Sequence, residues 1–142
     1  MARVAVVTGG TRGIGEAISI ALRDSGVTVA ANYAGNEERA REFSDRTGIK
    51  SYKWDVSDLD ACIAGVQQIE SELGPVDVLV NNAGITRDGT MKRMDRRAWE
   101  EVIDVNLGGC FNMAKAVWDG MNARKYGRVV NIGSINGGQH MY

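Results

Sequence analysis

The sequence predicts an α/β domain built on a doubly wound parallel sheet of five strands in the order 3-2-1-4-5, and three observations carry that expectation. Short runs rich in Val and Ile lie along the chain without polar alternation, as strands buried on both faces require. Segments with apolar residues at helical spacing separate them. A glycine-rich turn joins the first strand to the first helix, and the connections are short enough for right-handed crossovers.

Taken in order, Val4–Val7 is the first strand. Ile14, Ala17, Ile18, Ala21 and Leu22 then recur at helical spacing until Gly26, and Val27–Ala31 is the second strand. Asn36 suits the cap of a second helix, with Glu37 and Glu38 in its positively polarised first turn and Gly48 at its end. A short third strand is expected around Lys50 to Trp54. Ser57 and Asp60 read as a capping box for a third helix, whose stripe of Cys62, Ile63, Val66, Ile69 and Leu73 stops at Gly74-Pro75. Val76–Val80 is the fourth strand. One long helix follows from about Asp95, with Trp99, Val102, Ile103, Asn106, Cys110, Met113, Val117 and Met121 on one face and a bend at Gly108-Gly109. Arg128–Ile132 is the fifth strand.

A chain of 142 residues, 44% apolar and 25% charged, has the material for one globular domain with one core. Its 17 basic and 18 acidic residues are interspersed, which leaves no electrostatic footprint for nucleic acid or an anionic membrane surface. The first apolar run is too short for a signal segment or a membrane span, so a cytoplasmic location is expected. Cys62 and Cys110 form no Cys-x-x-Cys pair and read as small core residues. His140 is the only histidine, which argues against histidine metal sites and triads, and no metal is expected.

The strongest local signal is Thr8-Gly9-Gly10-Thr11-Arg12-Gly13-Ile14-Gly15. Gly9, Gly13 and Gly15 permit a tight turn and a close backbone approach to a pyrophosphate, while Arg12 and Ile14 stand where the next helix presents its N–H groups. The plain alternative is a tight strand-to-helix turn with no ligand. Tyr33, Asp55, Asn82 and Ser134 also fall at carboxyl ends of strands, the edge where open α/β sheets bind ligands, which makes this a Rossmann-type dinucleotide site. NAD-selective folds place an acidic residue after the second strand, but here that place is held by Asn32-Tyr33. Arg12 and Arg39 are candidate partners for a 2′-phosphate, pointing to NADP(H); a solvated surface arginine is the other reading of Arg39.

The spacing Thr-Gly-x-x-x-Gly-x-Gly, with Asn81-Asn82-Ala83-Gly84 closing the fourth strand, resembles the short-chain dehydrogenase/reductase family. The resemblance implies that Asn82, Ala83 and Gly84 lie beside the adenosine ribose and that Asp55 and Val56 bind the adenine edge. It further implies that Asn106 holds a water in a proton relay and that Ser134 hydrogen-bonds the substrate carbonyl. Read without it, Asp55 is a helix cap, Asn106 a satisfied structural amide and Ser134 a turn residue.

The segment from Asn81 to Asp88 resembles acetoacetyl-CoA reductases and 3-oxoacyl-carrier-protein reductases alike. The wider text, in Asn32 to Glu38, Tyr52 to Val56 and Gly133 to Gly137, more closely resembles the bacterial acetoacetyl-CoA reductases of polyhydroxybutyrate synthesis. That likeness implies a homotetramer reducing acetoacetyl-CoA, an acyl-CoA substrate, to 3-hydroxybutyryl-CoA with NADPH. Asp88 then faces the substrate, or else solvent. The family donates its proton from a Tyr whose pKa a nearby Lys lowers from about 10.

The family's Tyr-x-x-x-Lys pair has no counterpart here; Tyr142 is followed by no lysine. Residues Ile135 to Tyr142 resemble the C-terminus of these reductases, whereas Val129 to Gly137 resemble their fifth-strand region. The expectation is an internal deletion joining the two at Ser-Ile-Asn-Gly. Residues 1–142 would then be a single, truncated NADP-binding domain, with a sheet incomplete on its C-terminal side and apolar surface exposed. A catalytically inactive nucleotide-binding fragment is the competing reading.

Overall fold

A computed structural model describes residues 2–85 and 90–133. Strands and helices alternate: β1 (Val4–Val7), α1 (Gly13–Asp24), β2 (Thr28–Tyr33), α2 (Glu37–Thr47), β3 (Lys50–Lys53), α3 (Leu59–Leu73) and β4 (Val76–Asn81). Then come α4 (Arg96–Ile103), a π-helical turn (Asp104–Gly108), α5 (Gly109–Arg124) and β5 (Arg128–Asn131). The strands form one all-parallel sheet in the order β3-β2-β1-β4-β5. The chain therefore winds outward in both directions from β1, and a crevice opens where β1 and β4 end side by side.

Each face of the sheet has its own core. Val4, Val6, Tyr52 and Leu79 pack with Val66 and Ile69 of α3 and with Met113 and Val117 of α5. On the other face Val7, Val29, Ala31 and Val80 pack with Phe43 of α2, joined by Ile18 and Leu22 of α1. Burying each large side chain stabilises by about 1.5–3 kcal/mol. Side chains of a strand alternate faces, yet Val76 and Leu79, three positions apart, share a cluster. The cause is a register shift against β1: Val4 pairs with Val76 but Ala5 with Val78. Asp77 is the extra residue, and its carboxylate accepts the Val4 N–H at 3.0 Å.

Local capping follows the sequence at α2, where Asn36, at φ 53°, accepts from Arg39 N, and Gly48 closes the helix at φ 74°. At α3 the expected capping box is corrected. Asp58 is the cap, accepting from Ala61 N at 3.1 Å, while the Ser57 hydroxyl donates to Asp55 at 2.7 Å. A residue one position later reaches the free N–H because the Asp55–Ser57 turn consumes the serine.

Three other expectations are corrected. In α1 the buried residues are Gly15 and Ser19; of the predicted stripe Ile18 and Leu22 pack on the core, while Ile14, Ala17 and Ala21 are exposed. Small residues face inward because the helix lies tight against the loop before it, with Ser19 Oγ donating to Gly10 O at 2.9 Å. The long helix is divided by the π turn, which rotates its apolar stripe: Met113, Val117 and Met121 are buried, Trp99 is 48% exposed, Asn106 is exposed and Cys110 is half-buried. Finally β5, whose apolar run read as buried on both faces while the incomplete sheet left it at the edge, is exposed along its length; among the described residues it pairs only with β4. Among the described residues no helix is long and apolar enough to cross a membrane.

Candidate functional site

The crevice at the carboxyl ends of the strands is a cleft of about 1030 Å³. Its floor is the turn between β1 and α1. Gly9 at φ 59° and Gly13 at φ 55° take left-handed backbone conformations that a side chain would disfavour, and a Cβ at Gly15 would collide with the Gly9 carbonyl. Helices α2, α3 and α4 are capped by Asn36, Asp58 and Asp95, but no side chain caps the first turn of α1 behind this loop. An uncapped helix N-terminus beside glycine backbone provides what a diphosphate needs, namely N–H donors and the positive end of a dipole.

The loop is held open by a polar lattice beneath it. The Thr8 hydroxyl, 1% exposed, accepts from Asn82 N at 3.0 Å and Ala83 N at 2.9 Å. Asn82 Nδ2 donates back to Thr8 O and Gly9 O, both at 3.2 Å. Asn32 bridges sideways: its Oδ1 accepts from Gly9 N at 3.3 Å and its Nδ2 donates to Trp54 O at 3.0 Å. Thus β1, β2, β3 and β4 are fastened together at one edge.

The cleft brings together Gly9, Arg12, Gly13, Tyr33, Arg39, Asp55, Val56, Asn82, Ala83 and Gly84. Of the remaining sequence candidates, Gly15 is buried under the loop and Ile14 stands 67% exposed in the first turn of α1, outside the lining. Asp55 Oδ1 accepts from Ser57 N at 2.9 Å, so it makes a local turn at the cleft wall and caps no helix. Asn106 reaches the cleft indirectly, accepting from Ile85 N at 2.8 Å and donating to Ile85 O at 3.0 Å. Ser134, Asp88, Tyr142 and His140 lie outside the described residues.

Thr8, Asn32 and Asn112 were not singled out as site residues in the sequence, though a signal was present. Thr8 closes an apolar run and Asn32 and Asn112 interrupt one, and each is buried, at 1%, 2% and 9% exposure. A buried amide or hydroxyl must be paired, so polar interruptions of a core pattern point to tertiary hydrogen bonds.

A sheet in this order, a glycine turn opening onto an uncapped helix and an Asn82-Ala83-Gly84 wall define a nucleotide-binding α/β protein. The chain belongs to the short chain dehydrogenase family, which it matches over residues 3–142, and membership implies a nicotinamide cofactor. It is 65% identical over 137 residues to an acetoacetyl-CoA reductase of Paracoccus denitrificans and 58% identical over 137 residues to one of Rhizobium meliloti, covering 96% of this chain in each case. A 3-oxoacyl-acyl-carrier-protein reductase of Staphylococcus aureus is 39% identical over 142 residues, again 96% of this chain. The chain spans 57% of the length of the first two relatives and 58% of the third.

Proposed function

We propose that residues 1–142 form the NADP(H)-binding unit of an enzyme that reduces acetoacetyl-CoA to 3-hydroxybutyryl-CoA. One observation supports the cofactor choice above others: Arg12 and Arg39 line the same cleft beside the end of β2, where the side chain of Asn32 is spent on Gly9 and Trp54. Two guanidiniums near the strand end favour a 2′-phosphate, which an acidic residue there would repel. The identity to acetoacetyl-CoA reductases supports the substrate over a carrier-protein thioester.

Within this reading the cofactor, when bound, supplies the hydride, and the chain supplies placement. Gly9, Gly13, Ile14 and Gly15 hold the diphosphate, Tyr33, Arg12 and Arg39 the phosphorylated ribose, Asp55 and Val56 the adenine, and Asn82, Ala83 and Gly84 the neighbouring ribose. Asn106 has one amide hydrogen and one lone pair left after its two bonds to Ile85, enough to hold a water. Ser134 would orient the substrate carbonyl and Asp88 would face the acyl-CoA. The exposed Leu107, Phe111 and Trp118 support self-association.

A second reading, nucleotide binding without turnover, is favoured by the lack of any Tyr-x-x-x-Lys in the sequence. Titration of protein of verified intact mass with NADPH and NADH tests the cofactor assignment, and NADPH should bind more tightly. The same sample mixed with acetoacetyl-CoA should consume no NADPH above background; turnover at an ordinary enzymatic rate would refute the second reading.

A further inference from the structure

The apolar face of α5 carries one polar interruption, Asn112. Asn112 is 9% exposed beside Met113, and its Nδ2 donates to Val56 O at 2.8 Å. The same carbonyl accepts the Cys62 thiol at 3.5 Å. Val56 is itself buried and presses on Gly109, where an added Cβ would come within 2.7 Å of Val56 Cγ2. Six positions back, within the π turn, Asn106 grips the backbone of Ile85. Val56 and Ile85 both line the cleft, one after β3 and one after β4. One helical run therefore fastens two parts of the cleft wall that come from different strands.

We propose that Asn112 is a positioning residue for the adenine end of the site, setting where the Asp55–Val56 segment stands relative to the Asn82–Ile85 segment. Asn112 lies outside the lining of the cleft and acts through the Val56 carbonyl. The proposal rests on the reading that Asp55 and Val56 hold adenine.

The test compares the chain with Asn112→Leu, which keeps the heavy-atom count and the branching at Cγ and removes the donor. Binding of NADPH and of adenosine 2′,5′-bisphosphate, the adenine half alone, should both weaken about five- to tenfold, the effect of one lost buried hydrogen bond. Reduced nicotinamide mononucleotide, which lacks adenine, should bind the two proteins equally, whereas general loosening of the fold would weaken it too. Should the variant not fold, the unaltered chain still decides: the Asn112 side-chain amide resonances should shift on saturation with adenosine 2′,5′-bisphosphate, and their constancy would overturn the proposal. Unchanged bisphosphate affinity in Asn112→Leu would overturn positioning while leaving the cofactor reading intact. Failure of the unaltered chain to bind the bisphosphate would overturn both.

Discussion

Thr8 and Asn82 hold each other reciprocally: the Thr8 hydroxyl accepts the Asn82 backbone N–H at 3.0 Å, and Asn82 Nδ2 donates to the Thr8 carbonyl at 3.2 Å. The residues are 74 positions apart in the chain, yet this exchange joins the ends of the two central strands and carries the glycine turn on top. Thr8→Val keeps the shape and removes the acceptor, stranding the N–H groups of Asn82 and Ala83. A loss of about 1–3 kcal/mol is expected in urea denaturation, together with weaker NADPH binding.

Gly15→Ala probes the turn itself. The new methyl would run into the Gly9 carbonyl and come within 2.6 Å of Asn82 Nδ2, so the loop must move. Overpacking of this kind costs about 1–3 kcal/mol, and the displaced backbone should no longer hold a diphosphate. Thermal melting and NADPH titration of the variant check both outcomes.

The arginines of the cleft separate the two nicotinamide cofactors. Replacing Arg12 and Arg39 together by Ala should weaken NADPH about tenfold or more, the scale of hydrogen bonds to a charged group, and leave NADH unchanged. Equal losses for both cofactors would place these arginines elsewhere than at a 2′-phosphate.

Cys62 links stability to alkaline pH. Burial pushes its thiol up from 9.0 to about 11, so the folded chain keeps the proton after the unfolded chain has released it. The stabilising difference is fully present below pH 9.0 and is lost as pH rises to about 11. Urea midpoints should fall across that window, and less steeply in Cys62→Ala.

Glu72 does the converse in acid. Lys50 Nζ and the Tyr52 hydroxyl, each at 2.6 Å, hold its carboxyl down from 4.5 to about 2. The unfolded chain takes up the proton first as pH falls, so the contribution is present above pH 4.5 and disappears toward about 2. In Glu72→Gln, denaturation midpoints should depend less on pH through this range.

Much of the fold was legible because its signals are local. The parallel sheet follows from alternating elements with short crossovers, and the cap at Asn36 from one side chain beside one helix start. Facing was harder to read. The stripe of α1 gave the right period and two of its core contacts, Ile18 and Leu22, but the most deeply buried positions are Gly15 and Ser19, since close approach selects small residues there. The π turn after Ile103 likewise moved Asn106 out of a stripe that a uniform helix would have buried.

The sequence by itself determined that a glycine turn joins a buried strand to a helix in a parallel α/β sheet, because backbone freedom and apolar periodicity act within a few residues of their cause. Only the tertiary structure decided that Asp77 shifts the register of β4, that Thr8 locks Asn82 and that Asn112 reaches Val56 across 56 positions. These depend on which surfaces meet. A buried polar group announces that it needs a partner, but distant packing alone chooses which one.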